Sequence, residues 1–146
     1  MPQRTESERE RLRRISILNA RLPKKRTIAQ GVLRNPAGEV LLCELSYKKE
    51  WDLPGGVVDP GESPATCVER EVEEELGIRA RIVRALEPVR YRTPKGRDKE
   101  VRYWVMEPVS GEFTPNDEVD DVRWLAPDEA RSALSYEADR TLIENL

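Results

Sequence analysis

The chain has 146 residues, of which 36% are charged and 38% hydrophobic, with a formal net charge of −3 and no histidine. That length fits one domain large enough for a core, and no apolar run approaches the ~18 residues of a membrane span. The N-terminus has no signal-peptide core, which argues against a membrane partner and for a cytoplasmic protein. Without histidine, His-based triads, His metal sites and His acid/base chemistry are excluded, and carboxylates are left as the catalytic groups. Cys43 and Cys67 have neither metal-ligand nor redox spacing, so reduced thiols are expected.

Residues 1–26 carry nine Lys/Arg against three Glu. Leu12, Ile15, Leu18 and Leu22 form a short apolar stripe, predicting a helix from about Glu6 to Leu22, before Pro23, within a basic N-terminal helical arm of residues 1–25. Such an arm packs on the domain or on a second subunit, as in a homodimer, or meets an anionic surface. Residues 26–146 form the folded domain. Strands are predicted over 27–34 and 39–45, joined by the turn Asn35-Pro36-Ala37-Gly38. Trp51 lies beside an apolar run and reads as core before it reads as a base-stacking face.

The stretch WDLPGGVVDPGESPATCVEREVEEELGI, Trp51 to Ile78, dominates the chain. Ser63 and Pro64 signal a helix start and Gly77 a helix stop. Between them Ala65, Val68, Val72 and Leu76 make an apolar stripe at helical spacing. At about 100° per residue, Glu71, Glu74 and Glu75 fall on one arc beside it, while Glu69 and Glu73 point to solvent. Arg70 is the helix's only cation, so this arc is either a solvated acidic face or a site for a hard divalent cation with oxygen ligands. Pro54-Gly55-Gly56 lets bare backbone approach a ligand or metal.

Beyond this stretch, residues 80–92 read as extended, Pro94-Lys95-Gly96 as a turn and residues 99–107 as a strand buried on both faces. Residues 79–102 hold nine Lys/Arg against three acids. They either hold polyphosphate oxygens or form the solvated face of a strand. The negative overall charge and the lack of an aromatic stacking platform argue against a nucleic-acid partner. A loop with the acidic run Asn116-Asp117-Glu118-Val119-Asp120-Asp121 precedes a last strand over 122–125. Pro127 starts a helix to about Leu134, and Ser135 is expected to cap another from Tyr136. Strand pairs around one central helix, closed by C-terminal helices, predict an α/β fold with a mixed sheet and helices on both sides.

Gly56, then Glu62, Arg70-Glu71-Val72, Glu74-Glu75 and Gly77-Ile78 occupy every fixed position of the Nudix box, and the chain resembles a Nudix hydrolase over Pro54 to Ile78. By element order the resemblance extends over about Arg26 to Leu146. It implies the Nudix α/β/α sandwich with a central mixed β-sheet. It also implies that the Gly55 carbonyl, Glu74 and Glu75 ligate Mg²⁺ (or Mn²⁺), with Glu71 a further ligand or the group that orients the attacking water. Arg70 and Glu62 would pair to hold the loop against the helix. A distal carboxylate is expected at Glu118, with Asp117, Asp120 and Asp121 as rivals. Arg90, Arg92, Arg102 and Tyr91 are the expected substrate-binding residues.

The resemblance further implies Mg²⁺-dependent hydrolysis of a small nucleotide, a nucleoside diphosphate linked to another group. The closing third resembles members that cleave nucleoside triphosphates or dinucleoside polyphosphates. Pro94, sixteen residues past Ile78, is instead a feature of ADP-ribose-cleaving members, so an ADP-ribose or nucleotide-sugar pyrophosphatase is the alternative. A non-catalytic nucleotide sensor is the alternative of another class. Such sensors usually lose box glutamates, and this chain keeps them.

Overall fold

The computed structural model describes residues 25–47 and 49–146. Apart from Lys25, the basic helical arm expected over residues 1–25 lies outside the described residues. Eight strands follow in chain order: β1 (Lys25–Leu33), β2 (Val40–Leu45), β3 (Trp51–Asp52), β4 (Gly55–Val57), β5 (Ile78–Ala85), β6 (Val89–Arg92), β7 (Asp98–Gly111) and β8 (Val119–Leu125). Helix α1 (Pro64–Leu76) comes between β4 and β5, and α2 (Pro127–Ala133) and α3 (Glu137–Glu144) close the chain.

The strands form two sheets. One has the order β4-β1-β7-β5, with β6 also paired to β7. It is mixed, because β1 and β7 run parallel while the other pairs are antiparallel. The second is the antiparallel β3-β2-β8. The turn at Asn35 forms as its residues require: Gly38 N–H donates to the Asn35 carbonyl at 2.9 Å and the Asn35 side chain accepts from Glu39 N–H at 2.9 Å. Past this turn the chain leaves the first sheet, its two arms joined by the bridge Arg34↔Val40 and by the Asn35 N–H donating to the Glu39 carbonyl at 3.2 Å.

Strand alternation separates two cores. Ala29, Leu33, Trp104 and Met106 face α1 and pack with Val68, Val72 and Leu76. Val32, Val101 and Tyr103 point the other way and pack with Ala130, Leu134 and Ile143 of the C-terminal helices. The result is an α/β sandwich with a mixed sheet between helices. Residues 103–106 are buried on both faces, as the apolar run predicts.

Three local expectations change. The extended run over 80–92 is two strands, broken at residues 86–88. Half of the acidic run belongs to β8, because Val119 turns into the core and carries Asp120 and Asp121 with it. Ser135 does not cap α3. The cap position is Tyr136, without a side-chain bond, and Ser135 N–H donates instead to the Trp51 carbonyl at 3.3 Å.

Candidate active site

Helix α1 forms where its end signals place it. Ser63 Oγ accepts from Thr66 N–H at 3.1 Å, and Gly77 takes the left-handed conformation at φ 67° while its N–H donates to the Glu73 carbonyl. The helix buries Val68, Val72 and Leu76, and that rotation also drives Glu71 and Glu75 inward, to 2% and 6% exposure. Glu74 remains half exposed, and Glu69 and Glu73 face solvent.

The inward carboxylates meet the glycine loop. A Cβ on Gly56 would stand 2.5 Å from the Glu71 carboxyl carbon, so Glu71 packs where any other residue would block it. Arg70 is the cationic hub. Its Nε and Nη2 donate to the two Glu62 oxygens at 2.7 and 2.9 Å, and its Nη1 reaches Glu71 Oε1 at 3.1 Å and Glu74 Oε2 at 3.2 Å. Asp59 Oδ2 stands 3.5 Å from Nη2. The Arg70 hydrogen bonds hold the Glu62 carboxyl down to about 2, and the same partners raise the guanidinium's pKa. One arginine thus relieves the crowding of the arc and ties loop to helix.

A cleft of about 890 Å³ opens beside this junction, and its lining includes Gly55, Gly56, Glu75, Asp117 and Glu118. Asn116 joins the two carboxylate-bearing segments. Its Nδ2 donates to the Glu75 carbonyl at 2.8 Å, while its Oδ1 accepts from Glu118 N–H at 2.9 Å. Of the four candidate distal carboxylates, Glu118 and Asp117 line the cleft. Asp120 is turned to Ser46 Oγ at 2.8 Å and Lys49 Nζ at 2.5 Å, and Asp121 accepts from Val122 N–H.

Strand parity decides the rest of the lining. Arg26, Ile28 and Gln30 of β1, Lys99, Val101 and Tyr103 of β7, and Val89 and Tyr91 of β6 share the cleft face. Of the expected substrate-binding residues, Tyr91 is therefore on the cleft. Arg90, Arg92 and Arg102 are not: each sits one residue out of phase and points to the opposite face. There Arg90 bonds Glu100 at 2.7 Å, Arg92 bonds Asp98 at 3.1 Å and Arg102 stands 3.9 Å from Glu100. This corrects their expected role as substrate ligands. Trp51 lies outside the cleft lining, packed on the second core with the Arg123 guanidinium 4.8 Å from its ring centroid.

Some cleft residues are not singled out by sequence reasoning. Arg26 and Lys99 follow from strand parity once the strand frame is known. Asp139 lies one helical turn before Ile143, on the buried face of α3. It accepts from the Tyr103 hydroxyl at 2.9 Å, and burial, opposed by that bond, lifts its pKa to about 6. The cysteines are poor nucleophiles here. Burial raises the Cys43 thiol well above its ordinary value and pushes Cys67 up to about 12.

Among the described residues no three His, Cys, Asp or Glu side chains converge into a ready-made metal cage. The donor chemistry nevertheless fits a hard cation. Glu75 and Gly55 line the cleft and the Glu71 carboxylate is buried under Gly56. Mg²⁺ characteristically takes one or two carboxylates and completes its shell with water and substrate phosphates.

Comparison with known proteins identifies the family and the fold. The family model for the NUDIX domain matches residues 24–146. An 8-oxo-(d)GTP phosphatase of Mycolicibacterium smegmatis is 39% identical over 114 residues, which span 77% of this chain but 35% of that protein. The nucleoside triphosphatase NudI of Escherichia fergusonii is 32% identical over 136 residues, covering 82% of this chain and 95% of the relative. The crystal structure of a C. elegans Ap4A hydrolase binary complex superposes with a TM-score of 0.70 at 29% identity, covering 82% of this chain and 93% of that one.

Proposed function

The chain belongs to the Nudix hydrolase family, and on that premise we propose that it hydrolyses a nucleoside polyphosphate, a triphosphate or a dinucleoside polyphosphate, with Mg²⁺ or Mn²⁺. The observation that carries this reading is the meeting of Gly55, Gly56, Glu75 and Glu118 on one cleft, with Glu71 packed beneath Gly56.

When bound, the cation supplies neutralisation of adjacent phosphates and a lowered pKa for a water that attacks phosphorus in line. The Gly55 carbonyl, Glu74 and Glu75 would hold it. Glu71, held between Gly56 and Arg70, would be a further ligand or would orient the water, and Glu118 would serve as base or as a ligand. Arg70 and Glu62 act at one remove, fixing the loop on the helix so that the donors keep their spacing. The apolar floor of Ile28, Val89 and Val101 suits a base, and Tyr91 and Tyr136 offer exposed ring faces at the rim.

The test is a panel of GTP, oxidised GTP, diadenosine tetraphosphate and ADP-ribose with Mg²⁺, scored for kcat/KM and for phosphate against pyrophosphate released. A nucleoside polyphosphate is expected to lead. A tenfold lead for ADP-ribose, about 1.4 kcal/mol of transition-state preference, overturns the substrate choice.

A further inference from the structure

Helix α1 ends with carbonyls that have no partner inside the helix. Gly77 N–H takes the Glu73 carbonyl, and no basic side chain lies in the last turn. The Glu75 carbonyl receives its hydrogen bond from far along the chain, from Asn116 Nδ2 at 2.8 Å. That donor is brought in by β7, which closes on the helix end. Ile78 pairs with Gly111, where a Cβ would collide with the Gly77 carbonyl oxygen, and Phe113 packs on the core that faces α1. The second contact of Nδ2, to the Thr114 carbonyl at 3.3 Å, lies within the same loop.

Asn116 also builds the turn that carries the acids. Its N–H donates to the Val119 carbonyl at 3.1 Å, and its Oδ1 accepts from Glu118 N–H at 2.9 Å and from Val119 N–H at 3.0 Å. Asp117 and Glu118 are the two middle residues of this turn, and both line the cleft. Val119, fully buried, pins its far end. From the other side, Ser46 N–H donates to the Glu118 carbonyl at 3.0 Å. The Glu118 backbone is thus held at its N–H and at its carbonyl. One amide joins it to Glu75, whose residue lines the same cleft, by donating at one end and accepting at the other.

We propose that Asn116 is a positioning residue for the hydrolysis, setting the reach of Glu118 across the cleft by tying its turn to the Glu75 carbonyl. This rests on the catalytic reading, in which Glu75 holds the cation and Glu118 serves as base or ligand. A catalytic carboxylate must sit within about 0.5 Å of its working place. A misplacement of about 1 Å costs up to about a hundredfold in rate. The turn fixes Glu118 relative to Asn116 and Val119, and the Nδ2 bond refers that turn to the helix bearing Glu71, Glu74 and Glu75.

The two ends of the amide can be tested apart. Asn116→Asp keeps an acceptor for the Glu118 and Val119 N–H groups but sets a carboxylate oxygen against the Glu75 carbonyl, at the negative end of the helix dipole. Asn116→Ala removes both ends. In the metal-free chain, amide exchange read by NMR should leave Glu118 and Val119 protection within about threefold in Asn116→Asp and lower it at least about tenfold in Asn116→Ala. In steady-state turnover of the best substrate of the nucleotide panel, Asn116→Asp should lower kcat by about tenfold with KM within about threefold. In a Glu118→Gln background the same change should cost less than about twofold more, because the group it places no longer acts.

A merely structural role would give the same kcat loss in both backgrounds, so losses that multiply overturn the positioning role. Unchanged kcat in both Asn116 variants overturns it, as does unchanged amide protection in Asn116→Ala. A Glu118→Gln chain that works at the parent's rate also overturns it, since Asn116 then has no acting group to place. Should Asn116→Ala fail to fold, Asn116→Asp decides. Turnover by the parent chain with multiplied losses sinks the positioning role and leaves the catalytic reading standing. A parent chain that turns over no nucleotide of the panel sinks the catalytic reading and this role with it.

Discussion

Two segments of this chain crowd carboxylates in sequence, and the fold treats them differently. In α1, Glu71 and Glu75 are driven inward by the apolar stripe, and Arg70 bridges Glu62, Glu71 and Glu74. In the run from Asp117 to Asp121 the acids stay at or near the surface. There Asp120 takes Lys49 and Ser46, and Asp121 takes the next backbone N–H. The difference teaches that charge density alone does not mark a site. Burial next to a glycine loop raises the cost of each unneutralised charge, and that is where a cation has most to offer.

The largest effect expected from this contrast is on catalysis. Glu75→Gln should leave the fold intact and lower kcat by about a hundred- to ten-thousand-fold at saturating Mg²⁺. Near-normal turnover in a steady-state assay would remove Glu75 from the metal site. Within the second segment, Glu118→Gln should lower kcat by about ten- to a hundredfold with little change in KM. Asp120→Asn, whose partners lie outside the cleft, should leave turnover within about twofold. A reversal of that order would break the comparison between cleft-lining and surface-bound acids.

Arg70→Ala tests the hub itself. It should cost about 2 kcal/mol, read as a drop in Tm of about 6 °C, because Asp59, Glu62, Glu71 and Glu74 lose their shared cation. The same variant should change the acid limb of stability. With its folded pKa depressed to about 2 from an ordinary 4.5, Glu62 contributes stability that is present above about pH 4.5 and lost as pH falls toward 2. Urea titrations between pH 6 and 2 should show this slope in the parent chain and a weaker one in Arg70→Ala. An identical slope would mean that the pair carries no stability.

A smaller effect of opposite sign is expected from Asp139, buried with no ion-pair partner among the described residues. Its folded pKa, raised to about 6 from 3.8, means that the unfolded chain gives up this proton first. Stability therefore falls as pH rises from about 4 through 6. Asp139→Asn keeps an acceptor for the Tyr103 hydroxyl and should raise stability at pH 8 by on the order of 1 kcal/mol. Loss of stability there would show that the carboxylate is stabilised by a neighbour on the cleft.

Much of the site was legible because its signals are local. Ser63, Pro64 and Gly77 end a helix through their own backbone and capping chemistry, and residues at helical spacing share a face whatever surrounds them. The Glu62–Arg70 pair connects the ends of one loop-helix unit eight residues apart, so spacing carries that contact too. Arg90, Arg92 and Arg102 were misplaced because charge density says nothing about strand parity, and a one-residue phase difference sends a side chain to the other face.

By itself, then, the sequence determined the central helix with its caps, the arc of Glu71, Glu74 and Glu75, the turn at Asn35 and the α/β class, since each depends on interactions within a few residues or on a periodicity. The tertiary structure alone decided which carboxylates are buried, that Asn116 ties the Glu118 loop to the end of α1, and that Asp139 meets Tyr103 from 36 residues away. It also decided that Arg26, Lys99 and Tyr91 stand in one row. Those outcomes depend on the parallel register of β1 with β7 and the antiparallel register of β6 with β7. Register is set by packing both faces of a sheet at once, which involves residues from the whole chain.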